Sequence, residues 1–126
     1  MIMEDFVTYD LALKLKDKGF NWICSHYYRT KCKDLFMVFP SEDWSNTEER
    51  INAPTISQVI NWLENTKKIF LTVDIEPMGF FFIINYDILT NENGEYEFKI
   101  YNSTNTYPSS FEAAIEGINY ILNNFI

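Results

Sequence analysis

Three groups of side chains in this sequence are of types that could do chemistry. The first is soft. Cys24, His26 and Cys32 are the two cysteines and the single histidine of the chain. Structural zinc takes four N or S ligands with paired short spacings, and a fourth would have to come from Asp34 or another carboxylate. Cys24 and His26 stand two apart, which on a strand puts them on one face about 6–7 Å apart. That is too far for a direct Cys–His nucleophile pair without help from rotamers. The expectation is a part-buried thiol and a hydrogen-bonded strand histidine, with no metal and no cofactor.

The second group is Asp74, Glu76 and Asp87, which could meet across neighbouring strands. Paired carboxylates hold Mg²⁺ or divide acid and base roles, so a carboxylate-based metal-dependent enzyme is one alternative. Against it, Asp74 and Glu76 alternate with apolar residues as a solvated strand face does. The remaining acids, Glu42-Asp43, Glu48-Glu49 and Glu92, Glu95 and Glu97, are scattered groups, too sparse for a nucleic-acid mimic.

The third group is basic. Lys14, Lys18, Arg29, Lys31 and Lys33 are interleaved with Trp22, Tyr27 and Tyr28, and cations with stacking rings are the ingredients of single-strand binding. Residues 11–33 carry +5, residues 1–10 carry −3 and residues 34–126 carry −10, for a net charge of −8. The acidic majority repels phosphates, so nucleic acid through segment 14–33 stands as the alternative to a protein partner. No glycine-rich phosphate loop is present, since the four glycines are not clustered, and no nucleophile elbow occurs. The chain reads as a binding protein and not an enzyme.

The elements that must position these residues are marked by caps and periodicity. Thr8 as N-cap, Leu11, Ala12 and Leu15 as one apolar face, and Gly19 as the stop predict a helix over about 9–18. Thr55 and Gln58 form a capping box, with Ile56, Val59, Ile60 and Leu63 as the buried stripe of a helix reaching about Asn65. Ser109 and Glu112 repeat that signature ahead of Phe111, Ala114, Ile115, Ile118, Ile121, Leu122 and Phe125, and Gly117 within this helix points to close packing against a strand. Strands are expected at 21–29, 35–39 (closed by Pro40), 69–76 and 80–86, the last apolar on both faces and therefore central and covered on both sides. Asn93-Gly94 is the strongest hairpin signal; beyond it Tyr96, Phe98 and Ile100 alternate with Glu95, Glu97 and Lys99. Residues 41–52 read as the longest loop. Helices one and two, both Thr-capped and both preceding a strand, have the outline of an internal duplication.

The order α-β-β-α-β-β-β-α implies one α+β domain over residues 1–126: a mainly antiparallel five-stranded sheet with three helices packed on one face. Leu11, Leu15, Val59, Leu63, Phe82, Ile84, Ile115, Ile118 and Leu122 are expected in its core. The 126 residues, 47% hydrophobic and 17% aromatic, are enough for a core without disulfides. The start is acidic where a secretory signal is basic, Met3 is a candidate initiator, and the longest apolar run, Phe80 to Ile84, is far short of a membrane span. Cytoplasmic location with two free thiols follows as the expectation. Phe70, Trp44, Tyr101 and Tyr107 are more aromatic surface than a small monomer exposes, which points to a homo-oligomer.

Three segments together resemble a family of small proteins encoded by prophages and mobile elements of gut anaerobic bacteria. They are Phe6-Val7-Thr8-Tyr9 leading to Leu15-Lys16-Asp17-Lys18-Gly19-Phe20, Ala53-Pro54-Thr55 leading to Trp62-Leu63, and Ser110-Phe111-Glu112-Ala113-Ala114 leading to Gly117-Ile118-Asn119-Tyr120. The resemblance covers the three helices and not the strands between them. The family has no assigned activity, so it implies context alone: an accessory protein of a phage or mobile element made in a bacterial cytosol.

Overall fold

The computed structural model describes residues 5–37 and 50–126. The first helix, α1 (Tyr9–Asp17), starts where the Thr8 hydroxyl accepts a hydrogen bond from the Leu11 amide at 3.3 Å. It stops at Gly19, whose φ of +91° is the left-handed conformation glycine adopts without a Cβ penalty. The Phe20 amide then reaches back to the Leu15 carbonyl, and the Phe20 ring enters the core beside Leu11, Ala12 and Leu15.

Strand β1 (His26–Arg29) pairs antiparallel with both β2 (Leu35–Met37) and β3 (Arg50–Asn52), giving a three-stranded sheet of order β2-β1-β3. This corrects the expectation of a single five-stranded sheet. The stretch that supplies β3 is polar, yet Ile51 is buried and the Asn52 side-chain amide donates to the Trp22 carbonyl. One apolar residue in a polar run makes no period, so the third strand leaves no local signature. The same carbonyl explains why pairing begins only at His26 and not at residue 21. Trp22 gives its oxygen to the Asn52 side-chain amide and the Cys24 thiol rather than to a backbone amide of a neighbouring strand. Residues 38–49, which include the end of the expected second strand, Pro40 and most of the expected loop, lie outside the described residues.

The second helix, α2 (Ile56–Trp62), opens on the capping box. The Gln58 amide donates to the Thr55 hydroxyl at 3.2 Å and the Thr55 amide to the Gln58 side-chain oxygen at 3.0 Å. The helix then widens into a π-turn, Leu63–Lys67, where the Thr66 hydroxyl donates to the Trp62 carbonyl at 2.6 Å; it ends at Lys68, left-handed at φ +55°.

The second sheet is a meander of β4 (Phe70–Glu76), β5 (Gly79–Thr90) and β6 (Tyr96–Asn102), all antiparallel with β5 central. The Pro77-Met78 turn and the Asn91–Glu95 turn join the strands; in the latter the Asn91 side chain accepts from the amides of Asn93 and Glu95, and Gly94 takes φ +79°. Helix α3 (Ser110–Asn124), capped where Ser109 accepts from the Glu112 amide, packs on the face carrying Leu71, Phe82 and Ile84. The fold is thus α+β with three helices and two antiparallel sheets. Each sheet follows a helix, but strand orders β2-β1-β3 and β4-β5-β6 differ, so the outline of a duplication does not extend to topology.

All nine core positions named from the sequence are buried, and the core runs unbroken from Leu11 and Leu15 through Val59 and Leu63 to Ile118 and Leu122. No helix of the described residues is long and apolar enough to cross a membrane.

Candidate functional site

The five basic residues fall into different neighbourhoods. Lys14 donates to the Asn119 side-chain oxygen at 3.0 Å and Lys18 to the Ile126 carbonyl at 3.1 Å, both tying α1 to the α3 region. Arg29 lies 4.7 Å over the Phe36 ring and Lys33 5.4 Å over the Tyr9 ring, on the hairpin side. Lys31 is exposed at the hairpin turn. Phe36 in turn stacks on Tyr27, and Arg50 lies 4.9 Å over the Tyr27 ring, so this sheet carries two stacked rings with a guanidinium over each. Of the rings expected to stack on bases, Tyr27 is buried, Tyr28 donates its hydroxyl to the Val7 carbonyl and meets Tyr9 edge-on, and Trp22 packs against Phe20.

The soft group does not converge either. Cys24 is buried with its thiol directed at the Trp22 carbonyl, and burial pushes it up to about 12, away from the thiolate that ligates and attacks. His26 shares a 2.8 Å hydrogen bond between Nδ1 and the Ser25 hydroxyl and lies against the Phe6 ring, while Cys32 is exposed at the hairpin. Asp74 and Glu76 stand opposite Phe81 and Gly79, six or more residues along β5 from Asp87. At about 3.3 Å per residue that separates them by roughly 20 Å. Asp87 instead pairs with Lys99 at 3.2 Å. The expectation that the three carboxylates meet is therefore overturned by the register, and no group of three metal-ligating side chains occurs among the described residues.

What the described residues do assemble is a sheet face on which none of their helices packs. In β4, Leu71 and Val73 point toward α3, so Phe70, Thr72, Asp74 and Glu76 point away from it. In β5 the same outer face takes Phe81, Ile83 and Asn85, after which a β-bulge changes the phase. Tyr86 pairs with Lys99 but Leu89 pairs with Glu97, leaving Asp87 and Ile88 opposite Phe98 alone. Asp87 absorbs the extra residue at φ +54°, and Ile88 and Thr90 emerge on the outer face. Strand β6 adds Tyr96, Phe98 and Ile100, which are 72%, 48% and 59% exposed. Among the described residues, helix packing falls on the other side, so strand β5 is central as expected but covered by helix on one face only, a correction to the two-sided cover that its sequence suggests.

The outer face is concave. Phe70 and Thr72 form one wall, Tyr96 and Phe98 the other, and Asn85, Ile88 and Thr90 the floor of an open groove of about 610 Å³, with Lys68 at its edge. It is mostly apolar and has no convergent acid, base or nucleophile, so it offers contact rather than chemistry.

A second, smaller hollow of about 280 Å³ lies between β6 and α3. Tyr101 stacks on Tyr120 at 4.2 Å, and Tyr107 stacks on Phe82. The Tyr120 hydrogen bond, then burial, raises the Tyr101 phenol; burial and the Glu116 carboxylate raise that of Tyr107. Tyr101 and Tyr107 are thus half-buried structural rings, whereas Phe70 does belong to the open face; Trp44 lies outside the described residues.

Sequence reasoning did not place Tyr96, Phe98 and Ile100 on an open face. Their alternation with charged residues is visible, but a period of two is symmetric and says nothing of which side a helix covers. Of this strand, Tyr101 is the residue set against α3, through Tyr120. Comparison with known proteins adds no constraint: no family model, no curated protein and no solved structure matches the chain.

Proposed function

We propose that the chain is a non-catalytic binding protein that engages another protein through the outer face of β4, β5 and β6, in the accessory role that the resemblance of its helices to mobile-element proteins suggests. The observation that supports this is the exposure of Tyr96, Phe98 and Ile100 along one face of β6, with Tyr96 and Phe98 forming a wall of the groove of about 610 Å³. Contiguous apolar patches on soluble proteins mark interaction sites, and aromatic anchors carry most of the energy where such sites are used. The basic segment supports nucleic-acid binding less well, because Lys14 and Lys18 engage the α3 region and Arg29 and Lys33 engage rings.

Photocrosslinking in the native host tests this. A photoreactive residue in place of Phe98 is expected to trap a protein, in a yield that excess wild-type chain competes down. The same residue in place of Lys31 serves as the comparison. Nucleic-acid adducts at position 31 with no protein adduct at position 98 would overturn the proposal.

A further inference from the structure

We infer that the partner contributes a basic amphipathic helix, which lies along β5 with its apolar side in the groove and its cations over the groove ends. This rests on the reading of the outer face as a protein-binding surface, and takes its chemistry from the charges around that face. At one end of the groove direction stand Asp74 and Glu76, both exposed and on the outer face of β4. At the other end the β5–β6 turn carries Glu92 and Glu95, also exposed. Asp87 and Lys99 are paired to each other at 3.2 Å and contribute no net charge. Among the described residues that line the groove, Lys68 is the one cation.

An apolar floor with carboxylates at both ends selects its occupant by charge. A second copy of this chain laid face to face would set acidic ends against acidic ends, in a molecule whose net charge is already −8. A segment with leucine-like side chains in the middle and lysines or arginines toward its ends meets both features at once. Length agrees with a helix. From Phe81, opposite Asp74, to the turn at Asn91 is ten residues of β5. This is about 30 Å of strand, the span of a helix of about 20 residues. The opposite face of the same sheet already accepts a helix, the 15-residue α3.

Fluorescence anisotropy on the full chain decides it, with two labelled probe peptides of helical repeat: one of leucine and lysine, the other with glutamate in place of every lysine. The lysine peptide is expected to bind at least about tenfold more tightly than the glutamate peptide, more weakly at high salt. Phe98→Ser should cost about tenfold, as for one aromatic anchor, and Glu76→Lys should narrow the gap between the peptides. Asp17→Lys, the same change of charge on α1, should leave binding unchanged. Phe98 and Glu76 are exposed, so circular dichroism of the variants is expected to match the wild type. Equal binding of both peptides, or loss on Asp17→Lys equal to that on Glu76→Lys, would overturn the inference. So would sedimentation showing a dimer that Phe98→Ser dissolves; that result would make a second copy the occupant while leaving the face a protein-binding surface. Failure of the face itself is a different result, the absence of any protein adduct at position 98.

Discussion

Gly117 of α3 sits directly beneath Leu71 of β4: a Cβ at 117 would stand 2.7 Å from Leu71 Cδ1 and 3.1 Å from Phe82 Cγ. The helix and the inner face of the sheet approach here more closely than any side chain allows. Alanine at this position gains about 1 kcal/mol of helix propensity but overpacks the core by about 1–3 kcal/mol. Gly117→Ala is therefore expected to lower stability by about 1 kcal/mol in urea denaturation. Leu71→Ala opens the space that the new methyl needs, so the double variant should be more stable than the sum of the two single losses predicts. Strict additivity would show that the close approach is not the cause.

The Thr55–Gln58 box is a second, local test. Both reciprocal bonds are formed, at 3.2 and 3.0 Å. Thr55→Ala should cost about 1 kcal/mol of stability. Gln58→Ala should cost less, since the Thr55 hydroxyl can still receive the residue-58 amide. Thermal melts of the two variants check the order; a larger loss for Gln58 would instead credit its side-chain bond to the Ile23 carbonyl.

The two thiols should separate cleanly. Cys32 is exposed and Cys24 is buried, so iodoacetamide at neutral pH is expected to label Cys32 in the folded protein and Cys24 only on unfolding. Burial also raises the Cys24 thiol from its ordinary value of 9.0 to about 12. A proton held more tightly in the folded state stabilises fully below pH 9 and is lost as pH rises toward 12. Stability should therefore fall through that alkaline window, and Cys24→Ala should flatten the fall without abolishing it, since burial raises the Tyr28 phenol in the same sense. An unchanged slope in Cys24→Ala would remove the thiol from the account.

Much of this fold is written locally, and the remainder is written between distant residues. Thr8, Thr55 and Ser109 mark helix starts because an N-cap bond spans only three residues, and each of these bonds is present. The Asn91–Gly94 turn is legible for the same reason. Strand β3 is not, because Ile51 becomes a strand residue only by pairing with Tyr28, 23 positions away. Nor is the candidate site. Tyr96, Phe98 and Ile100 spell a two-residue period that is equally consistent with facing α3 or facing away from it, and the choice is made by Tyr101 stacking on Tyr120. The carboxylates that looked like chemistry in sequence, Asp74 and Asp87, are kept apart by an antiparallel register that no local pattern reveals.

Asp87 illustrates the difference between a chemical and a geometric role. It holds φ +54° at the bulge, and its side chain makes only an exposed ion pair with Lys99. Such a pair contributes at most about 1 kcal/mol, and the left-handed backbone costs a non-glycine residue about as much. Asp87→Gly should therefore leave stability unchanged within about 1 kcal/mol, and leave peptide binding at the groove intact. Asp87→Val, β-branched in a left-handed position, should lose more than Asp87→Gly by about 1–2 kcal/mol. Deleting Asp87 is the decisive variant, because it removes the extra residue and sets Ile88 opposite Phe98 in a regular ladder, with Ile88 and Thr90 still on the outer face. The deletion should therefore retain binding at the groove wherever circular dichroism reports a folded chain. Loss of groove binding in the folded deletion variant and in Asp87→Gly alike would give the carboxylate a direct role and sink the geometric one.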